Sequence, residues 1–244
     1  MGLDFPQAGT ATVAGCRYRD LTEPLTTMGT LLDASAPHPA RTARNHLRWL
    51  AHSNGISTVR VDAALAQVGL ESVAGRRVGG FSLGMRQRLG IAAAVLGDPP
   101  ILMLDEPATG LDPEGIVWIR GLLRGLAARG RAVLVSSHLM AELQDTADHL
   151  LIIGRGRLIA DTSTAELLAR ASGDRIDVRT EMITEAMTVL AGAGATVATA
   201  EAQVVTVTGA GVRYSELRQH RATLEEAYMD LTREVTEFAA PEAS

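Results

Sequence analysis

The stretch ILMLDEPATGLDPEG, residues 101–115, decides how this chain is interpreted. An apolar run leads directly into two carboxylates, Asp105 and Glu106, and a loop rich in proline and glycine then reaches a third acid, Asp112. An unbroken apolar run of this kind is typical of a strand buried on both faces of a parallel sheet. Acids that follow such a strand often serve a metal ion and a phosphate. The question is which other residues would hold that phosphate.

The composition narrows the class of protein. Of the 244 residues, 46% are hydrophobic but only 3% are aromatic, so the core must be aliphatic. A net charge of −5 with scattered arginines gives no electrostatic footprint for nucleic acid, and no nucleic-acid partner is expected. Cys16 is the single cysteine, which excludes a disulfide framework and a thiolate metal cluster. The sequence begins without a signal-peptide pattern, and no apolar run approaches the ~18–20 residues that span a bilayer.

Strand-like and helical segments alternate along the chain, which predicts an α/β fold with a parallel sheet under helical cover. We expect strands over 9–15, 27–33, 101–104 and 132–135, helices over 43–52, 60–73, 83–97, 113–128 and 140–147, and a hairpin over 149–163. The composition changes at about residues 172–174. We therefore expect two domains, 1–171 and 172–244, the second a small α+β domain that ends in a helix over 223–235.

Four short motifs follow one another in a definite order: FSLGMRQRLG at 81–90, ILMLDEP at 101–107, GLDP at 110–113, and His138 at the end of VLVSSH. Each motif alone is weak, because Asp-Glu pairs and histidines at strand ends are common. Together, at these spacings, they resemble the signature motif, Walker B strand, D-loop and switch histidine of the nucleotide-binding subunit of ABC transporters. The resemblance runs over most of residues 1–171 and implies a P-loop NTPase-like parallel sheet.

The resemblance implies a role for each polar residue around the Walker B strand. Asp105 would hold Mg²⁺ through water, since this ion keeps much of its hydration shell. Glu106 would face the γ-phosphate of ATP and polarise the attacking water. His138 would contact the same phosphate across the site, and Asp112 in the D-loop would cross the dimer interface. ATP and Mg²⁺ are therefore the expected cofactors.

The signature segment uses the N-terminus of a helix. Ser82 is the predicted N-cap, and its hydroxyl, the Gly84 backbone and the free N–H groups of the helix form an anion site. In the family this site grips the γ-phosphate of ATP held by a second nucleotide-binding subunit, which is thus an expected partner. FSLGM departs from the usual LSGGQ at three positions, with Leu83 in place of a glycine and Met85 in place of the glutamine, but Ser82 and Gly84 are kept.

The phosphate loop of the family, GxxGxGK[ST], has no counterpart in this sequence. All 23 basic residues are arginine, and the glycine-rich GRRVGGFS at 75–82 carries Phe81 where a lysine is needed. We therefore expect an N-terminally incomplete copy of the domain. We also expect the strand that leads into the loop to lie, in the family, between the strands that end at Asp105 and Ser136, so that its loss would destabilise the sheet.

These features favour an ATP-binding subunit that couples ATP binding and hydrolysis to export through a separate transmembrane permease, at the cytoplasmic face of the cell membrane. Asp33 stands where the family has the glutamine that couples nucleotide to permease, as in a branch associated with drug and peptide-antibiotic export. The alternative is a degenerate, non-hydrolysing partner or regulatory subunit that supplies its signature motif in trans. A cassette acting in translation or DNA repair is disfavoured, because paired cassettes and a long coiled-coil insertion are not present. Whether the chain hydrolyses ATP alone stays open.

Overall fold

The computed structural model describes residues 6–172, 176–179, 183–192, 195–201, 204–208, 218–219 and 222–232. Its internal contacts divide the chain into two compact units, Met1–His138 and Leu139–Ser244. The domain boundary expected after residue 171 stays a prediction.

A parallel sheet forms the centre of the first unit. Its strands, in spatial order, are β1 (Met28–Leu31), β2 (Ile101–Leu104) and β3 (Ala132–Val135). The middle strand is the apolar run that was expected to be buried, and its Leu102 and Leu104 are fully or almost fully enclosed. The predicted α/β fold with a parallel sheet is confirmed.

Strands β2 and β3 pair directly with each other. Leu102 lies opposite Val133, and Leu104 lies opposite Val135, in an uninterrupted parallel register. The expectation that another strand separates these two is therefore wrong, because the facing ladder groups already satisfy one another. In the described part of the chain β3 is an edge strand, and its Leu134 is half exposed.

Helices pack around this sheet and complete the core of the first unit. They are α1 (Pro24–Thr27), α2 (Ala43–Ser53), α3 (Val59–Gln67), α4 (Leu83–Val95) and α5 (Pro113–Ala128), with short 3-10 turns at Tyr18–Asp20, Glu71–Val73 and Val78–Gly80. Helices α2, α3, α4 and α5 and the sheet contribute to one aliphatic cluster, whose members include Leu47, Leu65, Leu89 and Leu123. The core is thus aliphatic, as the composition predicted.

Helix α4 lies unusually close to strand β1. A Cβ atom built on Gly29 of β1 would lie 1.8 Å from the main-chain oxygen of Ala94. On the helix side, a Cβ atom on Gly90 would lie 2.5 Å from a methyl carbon of Leu31. The missing side chains therefore allow direct contact between helix and strand, and this contact fixes the position of α4 relative to the sheet.

Two elements expected from the sequence differ in the structure where glycines take a positive φ. Residues 9–15 form no strand, and Gly15 has a φ of 82°, which breaks the extended backbone. The helix expected over 60–73 ends at Gln67, because Gly69 takes a φ of 71° and turns the chain.

The second unit begins with α6 (Met140–Gln144) and a hairpin of β4 (His149–Gly154) and β5 (Arg157–Ser163), followed by α7 (Thr164–Ser172). The hairpin turns at Arg155 and Gly156, both with positive φ, where the GRG sequence predicted the turn. An antiparallel sheet of order β7-β8-β6-β9 follows, built from β6 (Ile176–Arg179), β7 (Thr196–Glu201), β8 (Val204–Thr208) and β9 (Arg218–Gln219), with α8 (Ile183–Gly192) beside it.

The last described helix, α9 (Leu224–Thr232), completes a small core in the second unit. Its Leu224 and Ala227 pack in one cluster with Leu150, Ile152 and Leu167. The end of the helix expected over 223–235 lies outside the described residues. No helix in the described ranges is both long enough and apolar enough to cross a bilayer.

Candidate functional site

Polar residues follow each strand of the parallel sheet at its carboxyl end. Asp33 comes after β1, Asp105 and Glu106 follow β2, and Ser136 and His138 follow β3. Because the strands are parallel, these positions meet at one edge of the sheet. Ligands of open α/β sheets bind at this edge.

Ser136 connects the two acids of the DEP segment. The main-chain N–H of Glu106 donates to Ser136 Oγ over 2.9 Å, and the Ser136 hydroxyl donates to Oδ1 of Asp105. The sequence alone did not predict this role of Ser136. The feature that could have indicated this role is the position of Ser136 directly after the apolar strand β3, which lies next to β2, the strand that leads into the two acids.

Glu106 and His138 form a direct side-chain contact. His138 Nδ1 lies 2.8 Å from Glu106 Oε1, and the hydroxyl of Thr109 lies 3.5 Å from Oε2 of the same carboxylate. The side chains of Glu106 and His138 are 36% and 70% exposed, so water reaches both. The backbone of Glu106 is left-handed, with a φ of 46°, which turns the chain sharply after β2. The structure thus brings Asp105, Glu106 and His138 together, as the resemblance implied.

The N-terminus of α4 is built as the sequence predicted. Ser82 is the N-cap, and its Oγ accepts the N–H of Met85 over 3.2 Å. The N–H groups of Leu83 and Gly84, in the first turn, have no partner within the helix, as at any helix N-terminus. No acidic residue lies in this first turn, so the helix end itself presents no repelling charge to an anion.

The loop before α5 packs against this helix end. A Cβ atom on Gly84 would lie 3.1 Å from the main-chain oxygen of Gly110, and one on Gly110 would lie 2.3 Å from a methyl carbon of Leu83. The replacement of the usual glycine by Leu83 is therefore accommodated because residue 110 has no side chain. Asp112, at the end of this loop, caps α5 by accepting the N–H of Gly115 over 2.8 Å.

Asp33 makes local contacts. Its carboxylate accepts the main-chain N–H and the hydroxyl of Ser35, each over 2.7 Å. These two hydrogen bonds, the backbone one first, hold the pKa of Asp33 below its usual value. The structure gives this residue a turn-forming role, and its part in contacting a partner stays a prediction.

The residues fit a magnesium–nucleotide complex in their chemistry. Within the described segments, no group of three or more His, Cys, Asp or Glu side chains could hold a metal ion by itself. Mg²⁺ is commonly bound by one or two carboxylates together with water and substrate phosphates. A single oriented carboxylate at Asp105 therefore suits this ion.

Comparison with known proteins agrees with this geometry. The sequence model of the family described as "ABC transporter" matches residues 1–109. A solved structure described as the ATP-binding subunit of an ABC transporter superposes with a TM-score of 0.62 at 27% identity, covering 69% of this chain and 72% of that one. Residues 1–109 thus match the family of ABC transporter ATP-binding domains, and domains of this family bind nucleotide.

Several curated relatives are named as ATP-binding proteins of transport or export. The bacitracin transport ATP-binding protein BcrA of Enterococcus faecalis is 36% identical over 171 residues, which are 69% of this chain and 56% of that protein. The Nod factor export ATP-binding protein I of Burkholderia orbicola is 34% identical over 183 residues, 71% of this chain and 59% of that protein. The lantibiotic transport ATP-binding protein SrtF of Streptococcus pyogenes is 33% identical over 134 residues, which are 55% of this chain and 58% of that protein. The chain thus spans little more than half of these relatives.

Proposed function

We propose that the chain is the ATP-binding subunit of an ABC exporter and couples ATP binding and hydrolysis to transport through a separate membrane permease. The observation that supports this most strongly is the contact between Glu106 and His138, 2.8 Å, beside Asp105 at the carboxyl edge of the parallel sheet. This arrangement sets a candidate base, a hydrogen-bonding histidine and a candidate Mg²⁺ ligand side by side, and phosphoryl transfer depends mainly on such positioning and on charge stabilisation.

In hydrolysis, a water oxygen bonds to the γ-phosphorus, the bond from that phosphorus to the bridging oxygen breaks, and ADP and inorganic phosphate are released. The Glu106 carboxylate orients the water and receives its proton, while His138 donates a hydrogen bond to a γ-phosphate oxygen. Solvent reaches both side chains, so a water molecule can approach the Glu106 carboxylate.

Asp105 would hold Mg²⁺, and Ser136 would keep its carboxylate oriented through the hydrogen bond to Oδ1. When bound, the ion neutralises charge that develops on the phosphate oxygens. Ser82 and Gly84 would present the N-terminus of α4 to the γ-phosphate of a nucleotide bound by a second subunit. Asp112 would then lie at the interface between the two subunits.

The partners follow from the family and from the relatives. We propose a transmembrane permease, contacted by the segment around Asp33, and a location at the cytoplasmic face of the membrane. Relatives are named for the transport of bacitracin and of a lantibiotic and for the export of Nod factor, and a peptide antibiotic is the substrate class that we favour.

A second candidate is a non-hydrolysing partner subunit that supplies its signature motif to an intact cassette. The Ser82 cap at the N-terminus of α4 supports a role in trans.

One set of measurements separates the two candidates. ATP hydrolysis is measured for the purified chain alone and mixed with an intact ABC ATP-binding subunit. Glu106→Gln should lower hydrolysis by the chain about 10²–10⁴-fold, whereas Glu114→Gln, at an exposed acid on α5, should not. Hydrolysis by the chain that depends on Glu106 supports the first candidate. A chain that does not hydrolyse ATP but stimulates its partner, with the stimulation lost in Ser82→Arg, supports the second candidate. A chain that neither hydrolyses ATP nor stimulates the partner would overturn both candidates.

A further inference from the structure

A buried glutamine on α4 reaches the backbone of the proposed catalytic acid. Gln87 is only 5% exposed, although most of its buried neighbours on this helix are aliphatic. Its Nε2 donates to the main-chain oxygen of Glu106 over 2.9 Å. Burial of an amide is costly unless it is hydrogen-bonded, so this contact satisfies a donor that has no access to water.

The same bond stabilises a backbone conformation that a glutamate does not favour. Glu106 is left-handed, with a φ of 46°. Its main-chain oxygen also accepts the N–H of Thr109 over 3.1 Å, and its N–H donates to Ser136. Strained backbone of this kind persists where surrounding contacts over-determine it. Here the contacts come from three places: α4, the turn itself and the end of β3.

We propose that Gln87 is a positioning residue for Glu106. By holding the carbonyl of Glu106, its amide keeps the left-handed turn closed and the carboxylate directed at His138. Gln87 itself does not touch the substrate. The inference rests on the proposed function, which gives Glu106 its role in hydrolysis.

The first test is kinetic. Gln87→Met keeps the length of the side chain but removes the donor, and Leu89→Met is the control, at a fully buried residue of the same helix. In the assembly that hydrolyses ATP, Gln87→Met should lower kcat about tenfold and leave KM unchanged. Its thermal midpoint should match that of Leu89→Met. An unchanged kcat, or an equal loss in Leu89→Met, would overturn the proposal.

The second test does not need activity. Hydrogen exchange is measured at the amide of Thr109, which closes the turn, and at the amide of Glu106, which donates to Ser136. Both should exchange at least several-fold faster in Gln87→Met and at the wild-type rate in Leu89→Met. Unchanged protection overturns the positioning role. Glu106→Gln is assayed in parallel: if it hydrolyses ATP like the wild type, the proposed function fails, and the exchange rates still decide whether Gln87 holds the turn.

Discussion

Replacing Gly29 by alanine should disrupt the contact between α4 and β1. The new Cβ atom would lie 1.8 Å from the main-chain oxygen of Ala94 and 3.0 Å from a ring carbon of Pro99. The oxygen belongs to the backbone of a helix and cannot rotate away as a side chain could. The helix must therefore move away from the sheet as a body.

The magnitude follows from this geometry. Overpacking a core typically costs about 1–3 kcal/mol, and a clash with backbone belongs at the upper end, so we expect a loss of about 3 kcal/mol. Domains of this kind have a total stability of ~5–15 kcal/mol, so the loss is a large fraction of the whole.

Urea unfolding followed by tryptophan fluorescence measures this loss directly. Both tryptophans, Trp49 and Trp118, lie in the first unit, so the signal reports the unit that contains the contact. Gly121→Ala is the matched control, because a Cβ atom on this exposed residue of α5 meets nothing within 4 Å. It should stabilise the helix by about 1 kcal/mol. A free energy of unfolding for Gly29→Ala within about 0.5 kcal/mol of wild type would refute the reasoning.

Three further outcomes are expected in the first unit. A hydrogen bond from Arg131 holds the pKa of Asp98 below its usual value. The stability that this partly exposed pair contributes is therefore present above the unfolded pKa of the carboxyl and is lost as pH falls. Asp98→Asn should therefore cost at most about 1 kcal/mol at pH 7 and nothing in acid, by urea unfolding at both pH values. Ser82→Ala should cost about 1 kcal/mol through loss of the cap, whereas Ser82→Asp should keep stability but abolish any stimulation of a partner's hydrolysis. Gly110→Ala should lower the free energy of unfolding by more than the ~1–2 kcal/mol that left-handed backbone costs a residue with a side chain, because the new Cβ atom also meets Leu83. Adding Leu83→Ala should restore only the part of the loss that comes from this clash. Full restoration would show that the left-handed backbone of residue 110 contributes nothing to the loss.

Local patterns predicted the elements around the site well. Helix α5 has the predicted bounds, because Asp112 caps it and Pro113 occupies its first turn, and both signals lie in adjacent residues. Strand β2 follows from four consecutive apolar residues. The cap of α4 by Ser82 follows from the same local chemistry.

Contacts between distant residues were harder to predict. Ser136 reaches Glu106 across 30 positions of sequence, and Gln87 reaches it across 19. Neither residue differs locally from an ordinary strand-end serine or helix glutamine. The pairing of β2 with β3 likewise depends on which strands share a ladder, and the resemblance led to a wrong order there. Local sequence specifies where elements begin and end, but the packed sheet decides which side chains meet.

The left-handed backbone of Glu106 lowers the stability of the fold at the residue on which the proposed ATP hydrolysis depends. Glycine or asparagine would adopt this conformation at a lower cost in free energy, and for glycine the cost would be lower by roughly 1 kcal/mol. The site is therefore less stable with its acid than without it. If variants of this chain were selected in the laboratory for heat resistance alone, with no demand for ATP turnover, residue 106 should be among the first to change, and the acid would be lost without harm to the fold.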